Sequence, residues 1–158
     1  MGAINNAFNQ AAGAVAGAAL AIKHAKETDF SKMNAADNSA LIARNQARAA
    51  TAEANEASNE AGKDGGLIEQ LSDASTNRVY AEREYNKAVN RKNGSEATMY
   101  EKLTDLWAAQ EAEKTLKDKY QAIIDLKNRA QEQRAYADKA TKLAEEARQT
   151  YQSKWGNK

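Results

Sequence analysis

From Ala36 to Ala61, alanine occupies every position of an alternating four-three spacing: Ala36, Ala40, Ala43, Ala47, Ala50, Ala54, Ala57 and Ala61. This is the a/d seam of a heptad repeat, and it predicts a helix over 31–61. Alanine buries little apolar area, so such a seam contributes only where a second helix backbone comes very close. The same spacing continues through Leu67, Leu71, Ala74, Arg78, Ala81, Tyr85 and Ala88, which predicts a helix over 67–92. It recurs through Ala109, Ala112, Leu116, Lys119, Ile123, Leu126, Ala130, Gln133, Ala137, Ala140, Ala144, Ala147 and Tyr151, inside a breaker-free stretch predicted as one helix over 95–155. Three long or polar members, Lys119 and Gln133 among them, make it imperfect. Between these runs, Gly62 and the Lys63-Asp64-Gly65-Gly66 sequence mark a turn over 62–66. Asn93-Gly94 followed by Ser95 and Glu96 marks a stop and a new N-cap.

The first 22 residues break the pattern because they carry no charged side chain. Ile4, Phe8, Val15 and Ile22 fall on one helical face, and Leu20 adds a fifth larger apolar residue. Gly13 and Gly17 form a small-xxx-small pair, the spacing that lets helices approach closely in lipid. An apolar helix over 1–28 is expected, active either in self-association or at a membrane. Twenty-two helical residues span about 33 Å, near the thickness of a bilayer core, but so much alanine makes the affinity of a lone copy marginal. Lys23, His24 and Lys26 follow the apolar stretch instead of preceding it, unlike a secretory signal. Residues 23–34 read as a polar junction in which Ser31 or Asn34 caps the next helix.

Composition supports long helices. The chain has 158 residues, 35 of them alanine and none proline, so nothing of that kind interrupts a helix. Leu, Ile, Val and Phe number only 20, which leaves little with which to build a globular core. The formal net charge of +1 argues against disorder driven by charge and against a dedicated nucleic-acid binder. With no cysteine, disulfides and thiolate metal sites are excluded.

Candidate chemistry is sparse. His24 is the single histidine, so no two-histidine metal site can form. Glu53, Glu56 and Glu60 share a helical face and read as a solvated acidic stripe. Arg83, Lys87, Arg91 and Lys92, with Tyr80 and Tyr85 nearby, offer at most a weak nucleic-acid contact. Tyr100, Trp107, Tyr120, Tyr136, Tyr151 and Trp155 all lie on the last predicted helix. They are expected to fill gaps in helix packing, with Tyr151 and Trp155 as alternative membrane-interface anchors. An enzyme is not expected, and no cofactor or metal is implied.

The M-G-A-I start, the small-residue apolar stretch and the run K-E-T-D-F-S-K-M-N-A-A-D-N-S-A-L-I-A-R-N-Q-A-R-A resemble the DNA pilot proteins of microviruses, small phages with single-stranded DNA. The style is also similar to that of internal ejection proteins of short-tailed phages. The resemblance covers mainly residues 1–60. It implies a virion protein that assembles helices at the host envelope and helps the genome pass.

These readings together predict an all-α, extended, coiled-coil-like bundle of three to four helices with alanine-rich seams and a very long last helix. The expected function is that of a phage virion structural protein in genome delivery, acting as a homo-oligomer or with other virion proteins and touching the host envelope through residues 1–22. A coiled-coil scaffold or adaptor that needs no membrane is the alternative, and a nucleic-acid-associated helical protein the second.

Overall fold

The computed structural model describes residues 2–91 and 94–156, with the side chains of residues 2–4 and Phe8 outside that description. Three helices, all α, account for nearly all of it: α1 (Gly2–Gly62), α2 (Leu67–Asn90) and α3 (Glu96–Trp155). No strand occurs among the described residues. The polar junction expected at 23–34 is absent, because α1 runs through it without a break. Ser31 and Asn34 cap nothing there. Helix-forming neighbours and the lack of proline or glycine leave that stretch no reason to leave the helix.

The turn after α1 is built on two glycines. Gly65 has φ of 71°, the left-handed region that side chains disfavour. A Cβ on Gly66 would sit 2.6 Å from the Glu60 carbonyl oxygen. The Gly65 N–H donates to the Glu69 carboxylate at 2.7 Å, and Gln70 Nε2 donates to the Gly65 carbonyl at 2.8 Å. The first turn of α2 therefore ties itself to the loop by side chains rather than through its N-cap residue, Gly66. α3 begins at the expected cap: Thr98 N–H donates to Ser95 Oγ at 3.1 Å.

The chain divides into two compact units. One comprises residues 1–47 and 133–158, the other residues 48–132. In the first, α1 and α3 run antiparallel: going up α1 through Asp29, Asp37 and Ala47, the partners on α3 descend through Trp155, Arg148 and Ala137. The seam between them is alanine on alanine. Ala43, Ala47 and Ala137 form a buried cluster with Ala140 packed against it. The alanine seam of this unit thus closes within one chain.

The second unit holds three helical segments, from α1, α2 and α3. Its buried residues are Ala54, Ala61, Ala74, Leu106, Glu113 and Ala130. Ala36, Ala50, Ala57, Ala140 and Ala147 are half-buried, and Ala40 and Ala144 are buried in the first unit. The predicted α3 seam needs one correction. Ala112 and Lys119 are exposed, and Glu113 is buried instead. A seam read from spacing alone assumes one facing helix. In this unit α2 is a second neighbour, and it carries the arginine that Glu113 meets.

Candidate functional site

The residues singled out at the N-terminus occupy the segment of α1 that has no partner. Among the described side chains, every residue from Asn5 to Thr28 is exposed. Val15 is 71% and Leu20 68% exposed, and Ile22 is exposed as well. Nothing lies within 4 Å of a Cβ built on Gly13 or Gly17, so both glycines leave open helix surface. Ile4 and Phe8 lie outside the described side chains. No helix among the described residues is long and apolar enough to cross a membrane.

This helix is anchored where α3 ends. Trp155 Nε1 donates to Asp29 Oδ2 at 3.0 Å, and Lys154 Nζ donates to the same oxygen at 3.2 Å. These two donors hold the Asp29 carboxyl below its ordinary range, the Trp155 hydrogen bond contributing most. One turn inward, Phe30 and Tyr151 meet with ring centroids 5.6 Å apart and planes tilted by 56°. Arg148 reaches Asp37 at 2.8 Å. A groove of about 510 Å³ beside this lock is lined by Lys23, Lys26, Glu27, Phe30, Ser31 and Tyr151. The uncharged helix therefore leaves the pair at a collar of lysines and aromatic rings.

The aromatic residues divide. Tyr151 and Trp155 are half-buried in the lock, as packing residues would be. Tyr100, Trp107 and Tyr136 are about 60% exposed and fill no gap. They stand on outward faces of α3, where a seam reading gives no information about them. Sequence reasoning did not find the Asp29–Trp155 lock. Its signal, an acid and an indole at opposite ends of the chain, becomes readable only once the helices are known to be antiparallel.

The basic residues near the α2–α3 connection line an open groove of about 790 Å³, through Arg83, Lys87, Arg91 and Lys102. Lys92 lies outside the described residues. Glu84 takes Lys87 at 3.1 Å, and Glu82 takes Arg78, so acids interleave the cations. Tyr80 is exposed and Tyr85 half-buried on the same helix. Glu53, Glu56 and Glu60 are exposed on α1, with Glu60 paired to Lys63. Among the described residues, no three His, Cys, Asp or Glu side chains come together as a metal site would require.

Comparison with protein-family models, with curated proteins and with solved structures finds no match to this chain.

Proposed function

We propose that this chain is a structural assembly protein of a phage virion, acting in genome delivery, whose N-terminal helix is its contact element. One observation carries this reading: α1 continues, exposed on every side, beyond the point where α3 stops covering it, and from Asn5 to Ile22 it carries no charge. Isolated helices are marginal in water, and most of their stability comes from packing a face. A helix with no acid or base between Asn5 and Ile22 gains little from solvent and much from sister helices or lipid. The host envelope is the setting this reading implies. Several copies acting together would supply the apolar area that one alanine-rich helix lacks.

The scaffold alternative draws on the alanine seam of the first unit. That seam closes inside the chain, so the folded pair stands without any membrane. Vesicle flotation separates the two readings. The full chain and its Val15→Gln/Leu20→Gln variant are mixed with anionic vesicles. The genome-delivery reading expects the full chain to float and the variant to stay in solution. Equal behaviour leaves the scaffold in place.

A further inference from the structure

The antiparallel pair of the first unit has two unlike flanks. With Ala40 and Ala47 as a positions and Ala43 as d on α1, Asp37 and Arg44 are e positions, and Ser39 and Gln46 are g positions. On α3, Ala137 and Ala144 are a and Ala140 is d; Thr141 and Arg148 are e, and Tyr136, Leu143 and Thr150 are g. In an antiparallel pair, e faces e and g faces g. The e flank is closed by the Arg148–Asp37 ion pair at 2.8 Å, and Asp37 and Thr141 are half-buried there. The g flank is open. Ser39, Gln46, Tyr136, Leu143 and Thr150 are all exposed, and no hydrogen bond or ion pair among the described residues crosses it.

The open flank carries no charge on α1 and exposes three large apolar or aromatic side chains. Ile42, next to the g row of α1, is 58% exposed; Tyr136 is 61% and Leu143 53% exposed. The outward strip of α1 here reads Ala35, Asn38, Ser39, Ile42, Asn45 and Gln46, without one charge. On α3 the matching strip carries Lys139, Lys142 and Glu146, of which Lys139 and Glu146 are opposite in sign and seven residues apart. Both are exposed, and neither makes an ion pair among the described residues.

We infer that this flank pairs with the same flank of a second copy about a two-fold axis. A surface that meets itself must be self-complementary, and this one is. Ile42 lies midway between Asp37 and Ala47, and Leu143 midway between Ala137 and Arg148, so the two stand at one level of the pair. An axis across the helices at that level sets Leu143 against Leu143 of the second copy, and Ile42 against its own equivalent. The same axis sets Lys139 beside Glu146 of the second copy, and Glu146 beside Lys139, closing two ion pairs at once. No charge on the α1 strip opposes the approach.

The size sets the strength. Twelve residues of helix span about 18 Å, and two helices side by side are about 20 Å wide. Each copy thus covers on the order of 400 Å², roughly half of what a standard stable interface contributes per partner. The pair is therefore reversible and concentration-dependent. It uses no residue of the exposed segment Asn5–Thr28 of α1, so it stands or falls separately from the function proposed above.

Sedimentation equilibrium of the full chain tests it. The wild type should dimerise and dissociate on dilution. Leu143→Glu should weaken dimerisation about tenfold or more, and Lys139→Glu or Glu146→Lys alone should weaken it about threefold to tenfold by placing like charges together. The double Lys139→Glu/Glu146→Lys variant should recover the wild-type constant. Because the chain has no cysteine, Leu143→Cys gives a second readout: it should form a disulfide dimer on mild oxidation, whereas Glu145→Cys on the other side of α3 should not. A monomer at all concentrations, single swaps without effect, no recovery in the double swap, or cross-linking equal at 143 and 145 overturns the inference. If masses change only in Val15→Gln/Leu20→Gln, assembly runs through the N-terminal helix and this flank is idle.

Discussion

Arg78 Nε donates to Glu113 Oε2 at 2.8 Å, joining α2 to α3 through the one carboxylate that is buried among the described residues. Glu113 also takes Lys117 Nζ at 2.8 Å from its own helix. Arg78 stands at a seam position of α2, where the pattern calls for alanine or leucine, and it shares its guanidinium with Glu82 at 3.1 Å. A buried charge left without its partner is strongly destabilising, whereas a pair replaced by apolar side chains of similar volume is often neutral or better. Arg78→Met and Glu113→Leu singly should therefore each lower the thermal midpoint. The double Arg78→Met/Glu113→Leu should recover most of the loss. Thermal unfolding followed by circular dichroism measures all three, and a double variant as unstable as the two losses added would show that the pair does not act as a unit.

Acid should act through the same residue. The Lys117 and Arg78 hydrogen bonds lower the Glu113 carboxyl from 4.5 to about 2. A carboxyl whose folded pKa is depressed adds stability that is present above its unfolded value and lost as pH falls towards the folded one. That contribution should thus be complete above about pH 4.5 and gone by about pH 2. Asp29 is shifted the same way by Trp155 and Lys154, so the first unit should share the acid sensitivity. Urea unfolding from pH 6 to pH 2 should show the wild type losing stability more steeply than the Arg78→Met/Glu113→Leu double variant. Parallel slopes would assign the loss to other carboxylates.

Most of the fold was legible, because alanine at heptad spacing admits few alternatives. The helices that became α2 and α3, the glycine turn and the Ser95 cap all follow from local rules acting on neighbouring residues. What was not legible depended on partners. Residues 23–34 looked like a junction because Ser31 and Asn34 are good caps, but caps act only where a helix has a reason to end. Glu113 was missed because the four-three spacing of α3 puts its neighbour Ala112 inward. The half-seam residue Arg78 was the available clue that an acid must lie opposite, but one sequence does not say which acid. The N-terminal stretch was legible as apolar and uncharged; that it leaves the helix pair at the Asp29–Trp155 lock was not.

The alanine seam of the first unit sets a limit on side-chain size. Ala43 is 1% exposed and Ala47 5%, and both pack against Ala137 from the facing helix. Adding three carbons at such a contact forces the backbones apart, and overpacking of this kind typically costs about 1–3 kcal/mol. Ala47→Leu should therefore destabilise, although leucine is the more hydrophobic residue and an equally good helix former. Ala49→Leu, one turn-face away and exposed, is the matched control and should be near neutral. Equal stability of Ala47→Leu and the control, measured by urea denaturation, would falsify the close-approach account of the seam.

The Asp29 lock should govern how far α1 stays covered. Trp155 and Lys154 both donate to Asp29 Oδ2, at 3.0 and 3.2 Å, and Phe30 packs on Tyr151 directly behind them. Beyond this point α3 offers α1 nothing. Asp29→Ala removes the acceptor for both donors at once, and Trp155→Phe keeps an aromatic ring while removing only the indole N–H. Local opening draws on few contacts at a helix end, so the change should appear as faster amide exchange confined to the ends of the pair, not as a global loss of stability. Hydrogen exchange should therefore rise for residues around 24–33 and 148–155 in Asp29→Ala, less in Trp155→Phe, and stay unchanged around Ala43, Ala47 and Ala137. Exchange that rises along the whole seam instead would mean that the lock holds the unit together and does not merely terminate it.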